Sequence, residues 1–138
     1  MTVSAPSNSG SRVAAIVLAG GLSSRMGSPK PLAMFNGRTM LERVLDGLEA
    51  SGAVLPIVVV TGDRVELLLP ILRERAVIVA HNPDYATGEM LSSVKTGLRA
   101  LPPDVDAVVL SLCDQPMIRP ETIAALVGGW RQRRPRIL

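Results

Sequence analysis

The chain has one cysteine, one histidine, one tryptophan, one tyrosine and one phenylalanine among 138 residues. A lone Cys113 excludes an intrachain disulfide and fits a reducing, cytoplasmic setting. Aromatics make up 2% of the chain against 47% apolar residues overall. The core must therefore be built from Val, Leu, Ile, Ala and Met, which suits a buried parallel sheet flanked by helices. Long apolar runs are also lacking. The longest, Val13 to Leu22, stops at ten residues, where a membrane span needs about 18 or more. It follows Arg12, but Ser23-Ser24-Arg25-Met26-Gly27 comes next without a small-residue cleavage site, so no secretory leader is expected. No internal repeat is present, and the length is that of one domain.

A basic face is missing as well, despite an isoelectric point near 9.8. Arg131, Arg133, Arg134 and Arg136 supply four of the fifteen positive charges, and no acid lies in 131–138. The remaining balance is eleven positive against twelve negative. Nucleic-acid binding needs basic charge spread over a surface. Neither nucleic acid nor membrane is an expected partner.

What is present is an alternating pattern. Residues 1–12 are rich in Ser, Gly, Pro and Asn and read as a disordered tail; 13–130 read as the domain, and 131–138 as a basic end. Val13 to Leu18 has strand length, and Ala19-Gly20-Gly21 follows it. Thr39 with Glu42 three residues later forms a capping box. The helix it opens carries Leu41, Val44, Leu45 and Leu48 on one face and stops at Ser51-Gly52. Ile57 to Thr61 is a second strand. Asp63 and Glu66 are set to cap a helix with Val65, Leu68, Leu69 and Leu72 on its apolar face, kinked or broken at Pro70. Ala76 to Ala80 is a third strand. Leu91, Val94, Leu98 and Leu101 form a helical stripe stopped by Pro102-Pro103. Ala107 to Leu112 is a fourth strand, and Pro120 opens a last helix with Ile123, Leu126 and Val127 inward.

Strands alternating with helices imply a parallel α/β sheet with right-handed crossovers. Ligands of such sheets bind outside the carboxyl ends of the strands. The polar and Gly-rich stretches 19–30, 61–63, 81–93 and 113–116 all follow strands, which marks that edge as the site. The first stretch reads Leu18-Ala19-Gly20-Gly21-Leu22-Ser23-Ser24-Arg25-Met26-Gly27-Ser28-Pro29-Lys30. Its glycines let backbone N–H groups approach phosphate oxygens. Ser23 and Ser24 add hydroxyl donors, Arg25 a planar charged fork and Lys30 a flexible point charge. The set suits a triphosphate. It is not a P-loop, because Lys30 follows Gly27 by three residues and lacks the adjoining Gly-Lys-Ser/Thr. The adjacent glycines also differ from a dinucleotide fingerprint.

Leu-Ala-Gly-Gly-x-Ser-Ser-Arg-Met-Gly-x-x-Lys resembles the signature of the MobA-like nucleotidyltransferases, which include the molybdenum cofactor cytidylyltransferases and guanylyltransferases. The resemblance continues through Asn82-Pro83-Asp84-Tyr85-Ala86-Thr87-Gly88-Glu89-Met90-Leu91-Ser92-Ser93 and Asp114-Gln115-Pro116. The Asn-Pro…Gly…Ser-Ser segment looks more like the cytidylyl branch. The resemblance implies a Rossmann-like three-layer α/β/α fold with a mainly parallel sheet, as in nucleotide-diphospho-sugar transferases. It also implies transfer of NMP, CMP for preference, from CTP or GTP to a phosphate-bearing acceptor such as molybdopterin. Leu18, Ala19 and Gly20 would contact the nucleoside, and Gly21 through Arg25, with Ser23 and Ser24, the phosphates. Lys30 would steady the α-phosphate. Thr61 and Asn82 would lie beside the base, while Gly88, Ser92 and Ser93 would face the second substrate. Asp114 would hold magnesium, and Arg25, Lys30 and Asp114 would carry catalysis. A partner enzyme receiving the product is a further expectation.

The chain is shorter than the family pattern, in which further strands follow this last helix; it reads as a carboxyl-terminally shortened form. Two other readings stand beside the first. One is a sugar-1-phosphate nucleotidyltransferase, whose related loop usually carries a Thr between Pro and Lys that Pro29-Lys30 lacks. The other is a truncated nucleotide-binding module without turnover. His81 reads as a satisfied surface group and Cys113 as a packing residue at a strand end.

Overall fold

The computed structural model describes residues 12–20, 30–87, 89–113 and 118–133. Strand β1 (Val13–Ala19) forms the centre of a parallel sheet because it is apolar on both faces and buried along most of its length. β4 (Ile57–Thr61) pairs on one side and β6 (Ala107–Leu112) on the other, with β5 (Ile78–His81) outside β4. The order is therefore β5-β4-β1-β6. A small antiparallel hairpin of β2 (Met34–Phe35) and β3 (Arg38–Thr39) stands apart from the main sheet. The helices are α1 (Met40–Ser51), α2 (Val65–Leu72), α3 (Met90–Arg99) and α4 (Pro120–Arg133).

Side-chain alternation along β1 divides the core in two. Val13, Ala15, Val17 and Ala19 pack with Leu41, Leu45 and Leu48 of α1, Leu68 and Leu72 of α2, and Ile123 and Val127 of α4. Ile16, with Val58 and Val60 of β4, faces the opposite way, toward α3 and the Ala100-Leu101 segment after it. The result is a three-layer α/β/α arrangement, with the parallel sheet as its middle layer.

The expected start of α1 is present in full. Thr39 Oγ1 accepts from the Glu42 backbone N–H at 3.1 Å, and Glu42 Oε1 accepts from the Thr39 N–H at 2.9 Å. Gly52 closes the helix in the left-handed region at φ 62°. Thr39→Ala is expected to cost about 1 kcal/mol, read as a lower urea midpoint with an unchanged slope.

Several local expectations need correction. Arg64, in the left-handed region, precedes α2 with no side-chain cap, so neither Asp63 nor Glu66 caps it. The helix runs through Pro70 and ends two residues later. β5 begins at Ile78 instead of Ala76. Arg75 reaches back to Asp46 and Glu49 on α1, both at 2.8 Å, and residues 75–76 bend accordingly. On α3, Leu91 and Leu98 are exposed, and Gly97 is the residue buried against the sheet. On α4, Ile123 and Val127 are buried but Leu126 is exposed. The hairpin was not anticipated, although Asn36-Gly37, with φ of 52° and 83°, is the dipeptide that a two-residue turn of this hand favours.

Asp46 joins three elements by accepting from Arg75 and from Arg38, each at 2.8 Å. Burial pushes its carboxyl up, but hydrogen bonds from Arg75 and then Arg38 outweigh that and hold it below the ordinary value. A carboxyl depressed on folding contributes stability above its unfolded pKa and loses it as pH falls through the folded one. Asp46→Asn should therefore lower the denaturation midpoint at neutral pH, and the gap to wild type should close on acidification. An equal gap at both ends of the titration would contradict this.

Candidate active site at the carboxyl ends of the strands

Parallel pairing places the carboxyl ends of the strands side by side. Ala19 is opposite Thr61, Thr61 is opposite His81, and Leu18 is opposite Leu112. Gly20 continues β1 against the chain leaving β4. A Cβ there would lie 3.2 Å from the Gly62 nitrogen and 3.3 Å from the Thr61 carbonyl carbon. Only a glycine lets the two backbones approach this closely without a shift. That close approach leaves Gly20 exposed at the end of the two central strands, with Thr61 and Gly62 buried beside it.

Thr61 is fully buried, and its hydroxyl lies 3.1 Å from His81 Nδ1. The exposed His81 ring is tilted 58° to that of Tyr85, with centroids 6.2 Å apart. The Asn82 N–H donates to the Thr61 carbonyl at 2.9 Å, fixing the chain as it leaves β5. The Asn82 side chain, 2% exposed, turns toward α3 and donates to Ser92 Oγ at 2.9 Å and Ser93 Oγ at 3.0 Å. Its Oδ1 accepts from the Asp84 N–H at 3.0 Å. Asn82 thus clasps the loop after β5 to the first turn of α3.

Among the residues singled out from sequence, Leu18, Ala19, Gly20, Thr61, Asn82, Ser92 and Ser93 gather at this edge. Lys30 stands on a separate short 3-10 turn, Lys30–Leu32, that leads through Ala33 to the hairpin and α1. Gly21, Ser23, Ser24, Arg25, Gly88 and Asp114 lie outside the described residues. Sequence reasoning missed the His81 contact with Thr61 and the importance of Gly62, whose signal was a glycine directly after a strand. Cys113 is 5% exposed within the core, a packing residue as expected.

No group of three or more His, Cys, Asp or Glu side chains is arranged for a metal among the described residues. A magnesium ion needs fewer, since it usually takes one or two carboxylates and keeps several waters. A cavity of about 170 Å³ lies elsewhere, lined by Val44 and Leu48 of α1, Val109 of β6, and Ile118, Ile123 and Leu126 at α4. Its lining is mostly apolar, with Ser111 and Thr122 the polar side chains, and it includes no cationic group to meet a triphosphate. No helix among the described residues is long and apolar enough to cross a membrane.

Known proteins agree with this fold. The chain is 35% identical to a 2-C-methyl-D-erythritol 4-phosphate cytidylyltransferase of Streptomyces avermitilis, over 98% of this chain and 56% of the relative. It is 31% identical to a probable molybdenum cofactor guanylyltransferase of Bacillus cereus, over 86% and 56% respectively. A nucleotidyl transferase structure from Methanothermobacter thermautotroptrophicus superposes with a TM-score of 0.72 at 28% identity, covering 85% of this chain and 57% of the other. The chain thus spans little more than half the length of these relatives. The MobA-like NTP transferase domain matches residues 15–138, covering every strand of the sheet except the first two residues of β1, and the chain belongs to that family.

Proposed function

We propose that the chain is a cytoplasmic nucleotidyltransferase that passes an NMP group, CMP for preference, from NTP to a phosphate-bearing acceptor, with molybdenum cofactor the favoured acceptor. The observation that carries the reading is the glycine-backed edge where Gly20 meets Thr61-Gly62. Gly20, after which the Gly-rich stretch follows in sequence, stands there beside the polar groups at the ends of β4 and β5. The name of the Streptomyces relative supports a cytidylyl donor, and that of the Bacillus relative supports the acceptor.

In the reaction, an acceptor phosphate oxygen forms a bond to the α-phosphorus of the NTP. The bond from that phosphorus to the bridging oxygen of the β-phosphate breaks, and pyrophosphate leaves with the electron pair. The attacking phosphate needs no strong base, so positioning and charge neutralisation carry the rate. Leu18, Ala19 and Gly20 would seat the nucleoside, and Gly21, Ser23, Ser24 and Arg25 the phosphates. Lys30 would neutralise charge at the α-phosphate. Gly88 would border the acceptor side, and Asp114 would hold magnesium, whose charge screens the phosphates when bound.

The test is calorimetric titration of the chain with CTP, GTP, ATP and UTP in the presence of magnesium. Selective CTP binding that disappears in Arg25→Ala is the expected result. Failure of a folded protein to bind any of the four would refute the reading.

A further inference from the structure

The clasp at Asn82 has a direction. The Asp84 backbone N–H can only donate, so the Asn82 atom it meets at 3.0 Å must be the amide oxygen. The amide nitrogen therefore faces the serines and donates one hydrogen to each, at 2.9 Å to Ser92 and 3.0 Å to Ser93. Each serine oxygen accepts from Asn82, so each hydroxyl proton must go elsewhere. That of Ser92 goes to the Glu89 carbonyl at 2.9 Å. That of Ser93 has no acceptor among the described residues.

The position of Ser93 gives this proton a destination. Gly97, one turn further along α3, rests on Ile16 of β1 and Val60 of β4. Ser93 lies on the same face of the helix. α3 follows β5 in a crossover to the parallel strand β6, so its first turn lies at the carboxyl ends of the strands. Ser93 accordingly sits one turn beyond Ile16 and Val60, toward Gly20 and Gly62.

We propose that Asn82 is a positioning residue that holds Ser93 as an obligate hydrogen-bond donor toward the bound nucleotide, addressing an atom that only accepts, such as a base carbonyl or a phosphate oxygen. This rests on the nucleotide reading of the site and assigns Asn82 a task other than touching the base. Ser92, with its hydroxyl already committed, serves the helix start alone.

Asn82→Asp tests the direction, because a carboxylate still accepts from the Asp84 N–H but can no longer donate. Both serines must then donate to it, and the Ser93 proton turns away from the ligand. CTP affinity, measured by calorimetry with magnesium, should fall about tenfold in Asn82→Asp and about tenfold in Ser93→Ala, the worth of one hydrogen bond. The double variant should bind no more weakly than Ser93→Ala alone. Ser92→Ala should stay within about threefold of wild type, since it leaves the Ser93 bond in place. Repeating the series with magnesium pyrophosphate locates the accepted atom: a loss seen with both ligands assigns it to phosphate, and a loss with CTP alone to the nucleoside.

A ligand-free readout keeps the two claims separable. In the wild-type NMR spectrum both Asn82 side-chain amide protons should be protected from exchange, one of them released by Ser92→Ala and the other by Ser93→Ala. This readout also serves if Asn82→Asp does not fold, because exposed and exchanging amide protons in the wild type would overturn the clasp. Protected protons in a protein that binds none of the four nucleotides would overturn the nucleotide reading while supporting the clasp. Tight CTP binding that Asn82→Asp or Ser93→Ala leaves unchanged would overturn the role given to Asn82.

Discussion

Lys30→Ala should weaken CTP binding and slow pyrophosphate release by about 10²–10³-fold, the scale on which removal of one donor from a charge-stabilising site acts. The residue follows the Gly-rich stretch and heads the short turn Lys30–Leu32. That turn is anchored behind it, with the Ala33 N–H on the Lys30 carbonyl at 2.9 Å and the Met40 N–H on the Ala33 carbonyl at 2.9 Å. Its backbone is therefore tied to the start of α1 while its side chain is exposed. Lys30→Arg should recover part of the loss, since the charge returns on a group of different shape and hydration. A Lys30→Ala protein with wild-type affinity and turnover would remove Lys30 from the phosphate site. Thermal melting of the same variant separates this from unfolding.

The largest effect on stability is expected at Gly97. A Cβ at this position would stand 2.7 Å from Ile16 Cγ2 and 3.1 Å from both Ile16 Cδ1 and Val60 Cγ2. Both partners are fully buried in the two central strands. Ile16 Cγ2 is a branch methyl next to the backbone, which cannot swing aside as a long side chain would. Gly97→Ala gains about 1 kcal/mol of helix propensity but meets an overpacking cost of about 1–3 kcal/mol. The net expectation is a modest loss. Gly97→Leu adds three further carbons to a contact already too short, so a loss of about 3 kcal/mol or more is expected. Urea denaturation of the two variants measures both numbers. An alanine variant more stable than wild type would mean that α3 does not sit so close to the sheet.

Gly97 also shows where the sequence could be read and where it could not. Apolar periodicity rewards leucines and so puts Leu91, Val94, Leu98 and Leu101 on an inward stripe, of which Leu101 packs on the sheet while Leu91 and Leu98 are exposed. The helix instead turns its small residue to the sheet, because Ile16 and Val60 fill the space that a side chain would need. A glycine contributes nothing to a hydrophobic pattern while permitting the closest contact of all. The α1 start was legible for the opposite reason: a capping box and a terminal glycine are local and depend on no distant partner. β4 and β6 have the ends expected from sequence because each is a short stretch that is apolar except for one residue, Thr61 in β4 and Ser111 in β6. β5 was misplaced at its start, where Arg75 is held by Asp46 and Glu49, carboxylates from a helix distant in sequence.

The site was legible as an edge but not as a set of bonds. Strand alternation was enough to bring Gly20, Thr61 and Asn82 together, and the sheet order does so. No sequence rule indicates that Asn82 spends its amide on Ser92 and Ser93, or that His81 meets the Thr61 hydroxyl. Such bonds depend on side-chain directions fixed only once the loop after β5 has folded onto α3.

The measurement that bears most directly on the account is amide NMR of the chain titrated with CTP and magnesium. Shifts should concentrate at Gly20, Thr61, Gly62, Asn82 and Ser93, and the signals of Val44, Leu48, Ile123 and Leu126 around the apolar cavity should stay in place. Shifts centred on that cavity, with the strand ends unmoved, would contradict the assignment of the nucleotide to the carboxyl edge of the sheet.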